Sequence, residues 1–143
     1  MSEAGQPGAR PGKAHGEPPP EFFKALEEFN QRCFFECHET LEDLWNAERS
    51  ELRRFYQGLL QVGVGYYKII TRPNYRGALS LFESGAGYLR RFEPSQFGID
   101  VTGLLEIVEA SRRELERLGE HGMDQFDRQL IPTLKAGDTH DPA

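Results

Sequence analysis

Between Glu51 and Thr71 the apolar residues Leu52, Phe55, Tyr56, Leu59, Leu60, Val62, Val64, Tyr66, Tyr67, Ile69 and Ile70 recur at helical spacing. Projected at ~100° per residue they cover more than half the circumference of a helix. A surface that wide must be enclosed on several sides, so this segment predicts a central helix with others packed around it. Pro73 stops it, because proline lacks the N–H and clashes with the preceding turn. Within the helix Gly58 and Gly65 lie on nearly one line. Each costs about 1 kcal/mol relative to alanine in a helix interior. Their placement predicts close approach by a neighbouring backbone.

The rest of the chain from Glu21 onward shows the same period, with no alternation long enough for a sheet. A first helix over Glu21 to Phe29 presents Phe22, Leu26 and Phe29. A second over Phe35 to Ala47 presents Cys37, Leu41, Leu44 and Trp45, and Asn30 is the best local break between the two. Ser50 precedes the central helix as a candidate cap. Asn74 opens a fourth helix carrying Tyr75, Leu79, Phe82, Ala86 and Leu89, which ends before Pro94. After a loop over Glu93 to Ile99, Asp100 caps a fifth that runs to Gly119. The last apolar residues, Met123 to Leu134, are interrupted by Pro132 and fit either a short helix or an extended strap. The expected fold is an all-α bundle of about five helices over residues 21–135. It is flanked by a tail over 1–20, which holds nine Pro and Gly and no aromatic, and a short tail over 136–143.

Composition narrows the class of protein. With 143 residues, 38% hydrophobic and 28% charged, the chain is the size of one globular domain. A net charge of −6 disfavours a general nucleic-acid partner, since neutralising phosphates needs a basic face. No run reaches the ~18 apolar residues of a membrane span, and no apolar leader is evident, so a cytoplasmic location and no membrane partner are expected. Two cysteines make no disulfide framework. Charge is unevenly shared. Nine acids face three bases from Glu21 to Glu51, whereas Lys68, Arg72, Arg76, Arg90 and Arg91 stand against Glu83 alone from Lys68 to Phe92. Complementary packing, within one bundle or between two self-associating copies, accounts for this. The sharper alternative is an anion site near Arg72 and Arg76.

One constellation could carry chemistry. His38 and Glu42 stand one turn apart in His38-Glu39-Thr40-Leu41-Glu42-Asp43-Leu44-Trp45. Counting from His38, Leu41 falls near 300°, Trp45 near 340° and Glu42 near 40°. The wheel therefore predicts that His38 and Glu42 share the apolar face, while Glu36, Glu39 and Asp43 face water. A buried acid needs partners. Gln57 and Gln61, with Arg54 and Lys68, form the polar strip of the central helix and could supply them. Tyr66 or Tyr67 could close the network. On that reading Glu42→Ala should cost about 2 to 4 kcal/mol.

His38-Glu39-x-x-Glu42 also differs by one residue from the zinc-protease helix motif, with Glu42 where the second histidine would stand. A third ligand would have to come from His121, His140, His15, Cys33 or Cys37. No cofactor is expected, and a divalent metal held by His38 and Glu42 is the alternative. The acidic surroundings of Cys37 disfavour a reactive thiolate, and no phosphate-binding glycine loop or nucleophile elbow is present.

Three blocks in order and distance, Phe34-Phe35-Glu36-Cys37-His38-Glu39-x-Leu41-Glu42-x-x-Trp45, Arg54-x-x-Gln57-Gly58-Leu59-x-Gln61 and Asn74-x-x-Gly77-Ala78, resemble family 309 of the domains of unknown function. The resemblance covers Glu21 to Leu89. It implies an all-helical bundle, a break near Asn30, and His38, Glu39, Glu42, Trp45, Gln57, Gly58 and Gln61 around one pocket. It implies no activity. The functional expectation is a structural, small-ligand-binding or protein-binding bundle whose pocket comprises His38, Glu39, Glu42, Trp45, Gln57, Gln61 and Tyr66. The alternative is a metal-assisted hydrolase using His38 and Glu42.

Overall fold

The computed structural model describes residues 16–136. Five helices follow one another: α1 (Pro20–Asn30), α2 (Phe34–Ala47), α3 (Leu52–Ile70), α4 (Tyr75–Leu89) and α5 (Val101–Leu118). The all-α expectation holds, and α3 is the central element. Of the expected tails over 1–20 and 136–143, residues 1–15 and 137–143 lie outside the described residues.

The helix ends follow local chemistry. Pro20 opens α1 at a position where a missing N–H costs nothing. The chain then reverses through Arg32, whose φ of 66° ends the helix path two residues after Asn30. Before α3, the Ser50 hydroxyl accepts from Leu52 N at 3.2 Å and donates to Glu48 at 2.6 Å. Asn74 accepts from Gly77 N, and Asp100 from Gly103 N, each at 2.9 Å, so both expected caps are made.

The loop before α5 contains one element that the helical reading did not anticipate. Ser95–Gln96 and Ile99–Asp100 pair as a two-residue antiparallel hairpin. Its turn residues Phe97 and Gly98 both have positive φ, the geometry that a tight hairpin needs. Phe97 is carried by this turn against Phe22 and Phe55, with ring centroids 5.1 and 6.0 Å away.

Packing explains the glycines of α3. A Cβ on Gly58 would stand 2.7 Å from Leu89 Cγ, and one on Gly65 2.7 Å from the Phe82 ring. Both contacts lie on α4, so α3 and α4 approach closely along one glycine line. Beside that line the Tyr66 ring meets Phe82 of α4 edge to face and is stacked on Phe34, which meets Phe29 edge to face. The C-terminal segment is a strap with two 3₁₀ turns (Glu120–Gln125 and Arg128–Leu130), not a sixth α-helix. Asn30 holds it through both amide atoms, donating to Leu134 O at 2.9 Å and accepting from Leu134 N at 2.8 Å. Arg32 adds bonds to the carbonyls of Pro132 and Ile131. No described helix is long and apolar enough to cross a membrane.

Candidate functional site along the second and third helices

Three contacts fix how α2 lies on α3. Arg53 sits over the Trp45 ring at 4.4 Å, Phe34 stacks on Tyr66 and Phe35 lies beside Tyr67. As residue numbers rise on α2 they fall on α3, so the helices are antiparallel. In that register His38 comes level with Gln61 and Glu42 with Gln57. The stretch over which α2 lies on α3 between these levels is the seam, and Arg54 and Lys68 of the glutamine strip reach from it to α4, at Tyr88 and beside Gly77.

The burial of that seam differs from the expectation. Phe34, Cys37, Thr40, Leu41 and Leu44 are the buried residues of α2. On the wheel counted from His38 they centre near 260°, so Glu42 at about 40° lies well outside the inward arc. Glu42 is exposed, as is Glu39, and His38 and Trp45 are half-buried. The inward placement of Glu42 is thus corrected. Trp45 had drawn the inferred apolar face too far toward His38, whereas α2 buries the flank that carries Cys37 and Thr40.

Tyr66 is also corrected as a member of the seam. Its hydroxyl pairs with Ser111 on α5 at 2.7 Å, both residues being fully buried. Burial holds the phenol well above its ordinary range, with the Ser111 hydrogen bond opposing only in part. Tyr67, the other candidate, stands at the seam beside Phe35.

At the seam Arg53 covers the Trp45 ring, and α3 adds the strip of Arg54, Gln57 and Gln61. Arg54 donates to Gln57 Oε1 at 3.1 Å and lies near the Tyr88 ring of α4. Two buried polar atoms of the described residues lack a hydrogen-bond partner, Trp45 Nε1 and Gln61 Oε1. One is a donor and the other an acceptor. An unmade bond on a buried group costs about 1 to 3 kcal/mol. Arg53 was absent from the sequence-level strip, although its place beside Arg54, opposite the only tryptophan, was a signal for it.

A second polar cluster went unread. The Thr40 hydroxyl, buried, donates to Glu28 at 2.7 Å and accepts from Lys24 at 3.3 Å, while Lys24 pairs with Glu28 at 3.1 Å. Glu28 holds the Lys24 ammonium above its usual range. This cluster ties α1 to α2.

Among the described residues no three His, Cys, Asp or Glu side chains are grouped to hold a metal ion. His38 and Glu42 thus lack, within that part of the chain, the third ligand that a catalytic zinc takes. His15 and His140 lie outside the described residues, and His121 lies at the far end of α3, beside Ile69 and Ile70. Cys33 and Cys37 are both free. Burial, with Glu28 nearby, pushes the Cys37 thiol up to about 12, which keeps it protonated. Arg72 and Arg76, the proposed anion site, are both exposed.

The fold and seam define a small five-helix bundle with a polar helix–helix groove. Residues 22–81, the stretch holding the seam and the first turns of α4, match the family described as Domain of unknown function (DUF309). The resemblance carried by the three motif blocks therefore holds. The chain is also similar to the uncharacterized protein YpuF of Bacillus subtilis (strain 168), 29% identical over 107 residues. That match covers 72% of this chain and 61% of the relative, so the chain spans less than two thirds of the relative's length.

Proposed function

We propose that this protein is a binding module, and that the α2–α3 seam receives a small bipolar molecule with an acceptor group at one end and a donor at the other. The observation that carries this reading is the complementary pair of unpartnered buried atoms, Trp45 Nε1 and Gln61 Oε1. Arg53 lies over the tryptophan ring, which suits a carboxylate or similar anionic acceptor at that end. The Gln61 end, level with His38, suits an amino or hydroxyl donor. Two helical turns is about 11 Å, so amino acids and hydroxy acids that carry the two groups at opposite ends of a chain of several methylenes have a frame of the right length. Binding is the role these groups support, since both unpartnered atoms are neutral hydrogen-bonding groups. The free thiols fit the reducing conditions of the cytoplasm.

Thermal melting against a panel of amino acids and hydroxy acids tests the reading. At least one compound should raise the melting temperature, and Trp45→Phe and Gln61→Leu should each abolish the rise while leaving the fold intact. If no compound raises it, and both variants are more stable than the parent, the two atoms serve no ligand and the reading is wrong.

A further inference from the structure

The opposite flank of α2 carries a second cleft, about 430 Å³ in volume, between the start of α1, the last turns of α2 and the first turns of α3. Leu44, Ala47 and Pro19 give it an apolar lining, and Glu21, Asp43 and Glu48 surround it with three carboxylates. Among the described residues no basic one lines it. Lys24 is close enough to feel Asp43, but it is committed to Glu28 and Thr40. Glu48 spends one oxygen on the Ser50 hydroxyl and N–H, which leaves its second oxygen uncommitted in those bonds.

The cleft has one further polar group, and it is not on the surface. Tyr56 lines the space although only 1% of the residue is exposed. Tyr66, its counterpart nearly three turns along α3, shares a hydrogen bond with Ser111, whereas among the described residues no hydrogen bond engages the Tyr56 hydroxyl. Glu48 and Glu21 both act on that hydroxyl, adding to the effect of burial in holding its proton. A phenol oxygen in this position can accept one hydrogen bond from a ligand and donate another to a carboxylate. The C-terminal end of α2, at Ala47 and Glu48, adds the negative end of a helix dipole.

We propose that this cleft binds an organic cation, an ammonium or guanidinium group carried on a short apolar stem, with Tyr56, Asp43, Glu48 and Glu21 around the charge and Leu44 and Ala47 along the stem. An inorganic cation would gain nothing from the apolar floor, and a neutral alkyl chain would leave three carboxylates without a counter-charge. The site is independent of the α2–α3 seam, which lies on the other flank of the same helix.

Titration of the full-length protein with agmatine, followed by NMR shifts of the Leu44 and Ala47 methyl groups, tests the proposal. Saturable shifts are expected at low salt, weakening several-fold at ~0.2 M salt. Asp43→Asn and Glu48→Gln, both outside the core, should each weaken binding about threefold to fivefold. Tyr56→Phe keeps the packed ring and should weaken it further. Acetyl-Gly-Arg-Gly-amide carries the same guanidinium on a peptide. Tighter binding by that peptide assigns the natural cation to a protein side chain, and tighter binding by agmatine assigns it to a free amine. Shifts produced equally by 1-pentanol, affinity unchanged in the two carboxylate variants, or the absence of saturable shifts would each overturn the proposal.

Discussion

The Tyr66 hydroxyl of α3 and the Ser111 hydroxyl of α5 share a 2.7 Å hydrogen bond, and both residues are fully buried. Around them the core is aromatic, with the Phe82 ring 4.8 Å from that of Tyr66 and Phe34 stacked on it. In such surroundings either hydroxyl alone would be stranded, because no water can replace the lost partner. The pair therefore locks the relative position of α3 and α5 more firmly than its net bond energy suggests. Ser111→Ala should destabilise the protein by about 1 to 3 kcal/mol, the cost of leaving a buried hydroxyl unpaired. Combining it with Tyr66→Phe should recover part of that loss, which a double-mutant cycle by urea denaturation measures directly.

The glycines predict opposite outcomes at two helical positions. Gly58→Ala puts a methyl 2.7 Å from Leu89 and 3.1 Å from the Gly85 carbonyl, and a backbone neighbour cannot step aside cheaply. A loss of about 1 to 3 kcal/mol is expected despite the better helix propensity of alanine. At Gly87, within α4, a Cβ meets nothing within 4 Å. Gly87→Ala should raise stability by about 0.5 to 1 kcal/mol, and denaturant midpoints of the two variants should move in opposite directions.

Alkaline pH should weaken the fold in a defined order. The folded state holds the Cys37 proton up to about 12, whereas the thiol otherwise titrates at 9.0. A raised folded-state pKa means that the unfolded chain releases its proton first, so stability is full below about 9 and falls as pH rises toward 12. Tyr56 and Tyr66, both raised above 10.0 by burial, extend the loss to higher pH. Each group contributes a slope of at most about 1.4 kcal/mol per pH unit. Urea midpoints from pH 7 to 11 should begin to drop near 9 in the parent and near 10 in Cys37→Ala. In the folded protein at pH 8, a thiol reagent should modify Cys33, which is partly exposed, and spare Cys37.

Glu42→Ala should change stability by less than about 0.5 kcal/mol, since the side chain is exposed. The 2 to 4 kcal/mol expected of a buried carboxylate does not apply. By contrast Thr40→Val, which removes the buried hydroxyl between Lys24 and Glu28, should cost about 1 to 2 kcal/mol. Melting temperatures of the two variants rank these effects without any ligand.

Periodicity, proline and capping residues determined the helices almost to their ends, because those signals act within one or two turns of chain. Asn74 and Asp100 cap as read, Pro73 follows α3, and the glycine line of α3 meets α4. That α2 packs on α3 was legible too, from the breadth of the apolar surface of α3. The face that α2 buries was not. Trp45, half-apolar and half-buried, fits a wheel centred on either side of it, and only the position of α1 against Cys37 and Thr40 decides between them. Likewise Tyr66 could have closed the seam or turned away, and its partner Ser111 stands 45 residues along the chain on a helix whose own stripe says nothing of α3. Local chemistry specifies elements, but the neighbours of a side chain depend on how those elements dock. That docking alone made one flank of α2 a polar seam and the other an acidic cleft over a buried phenol.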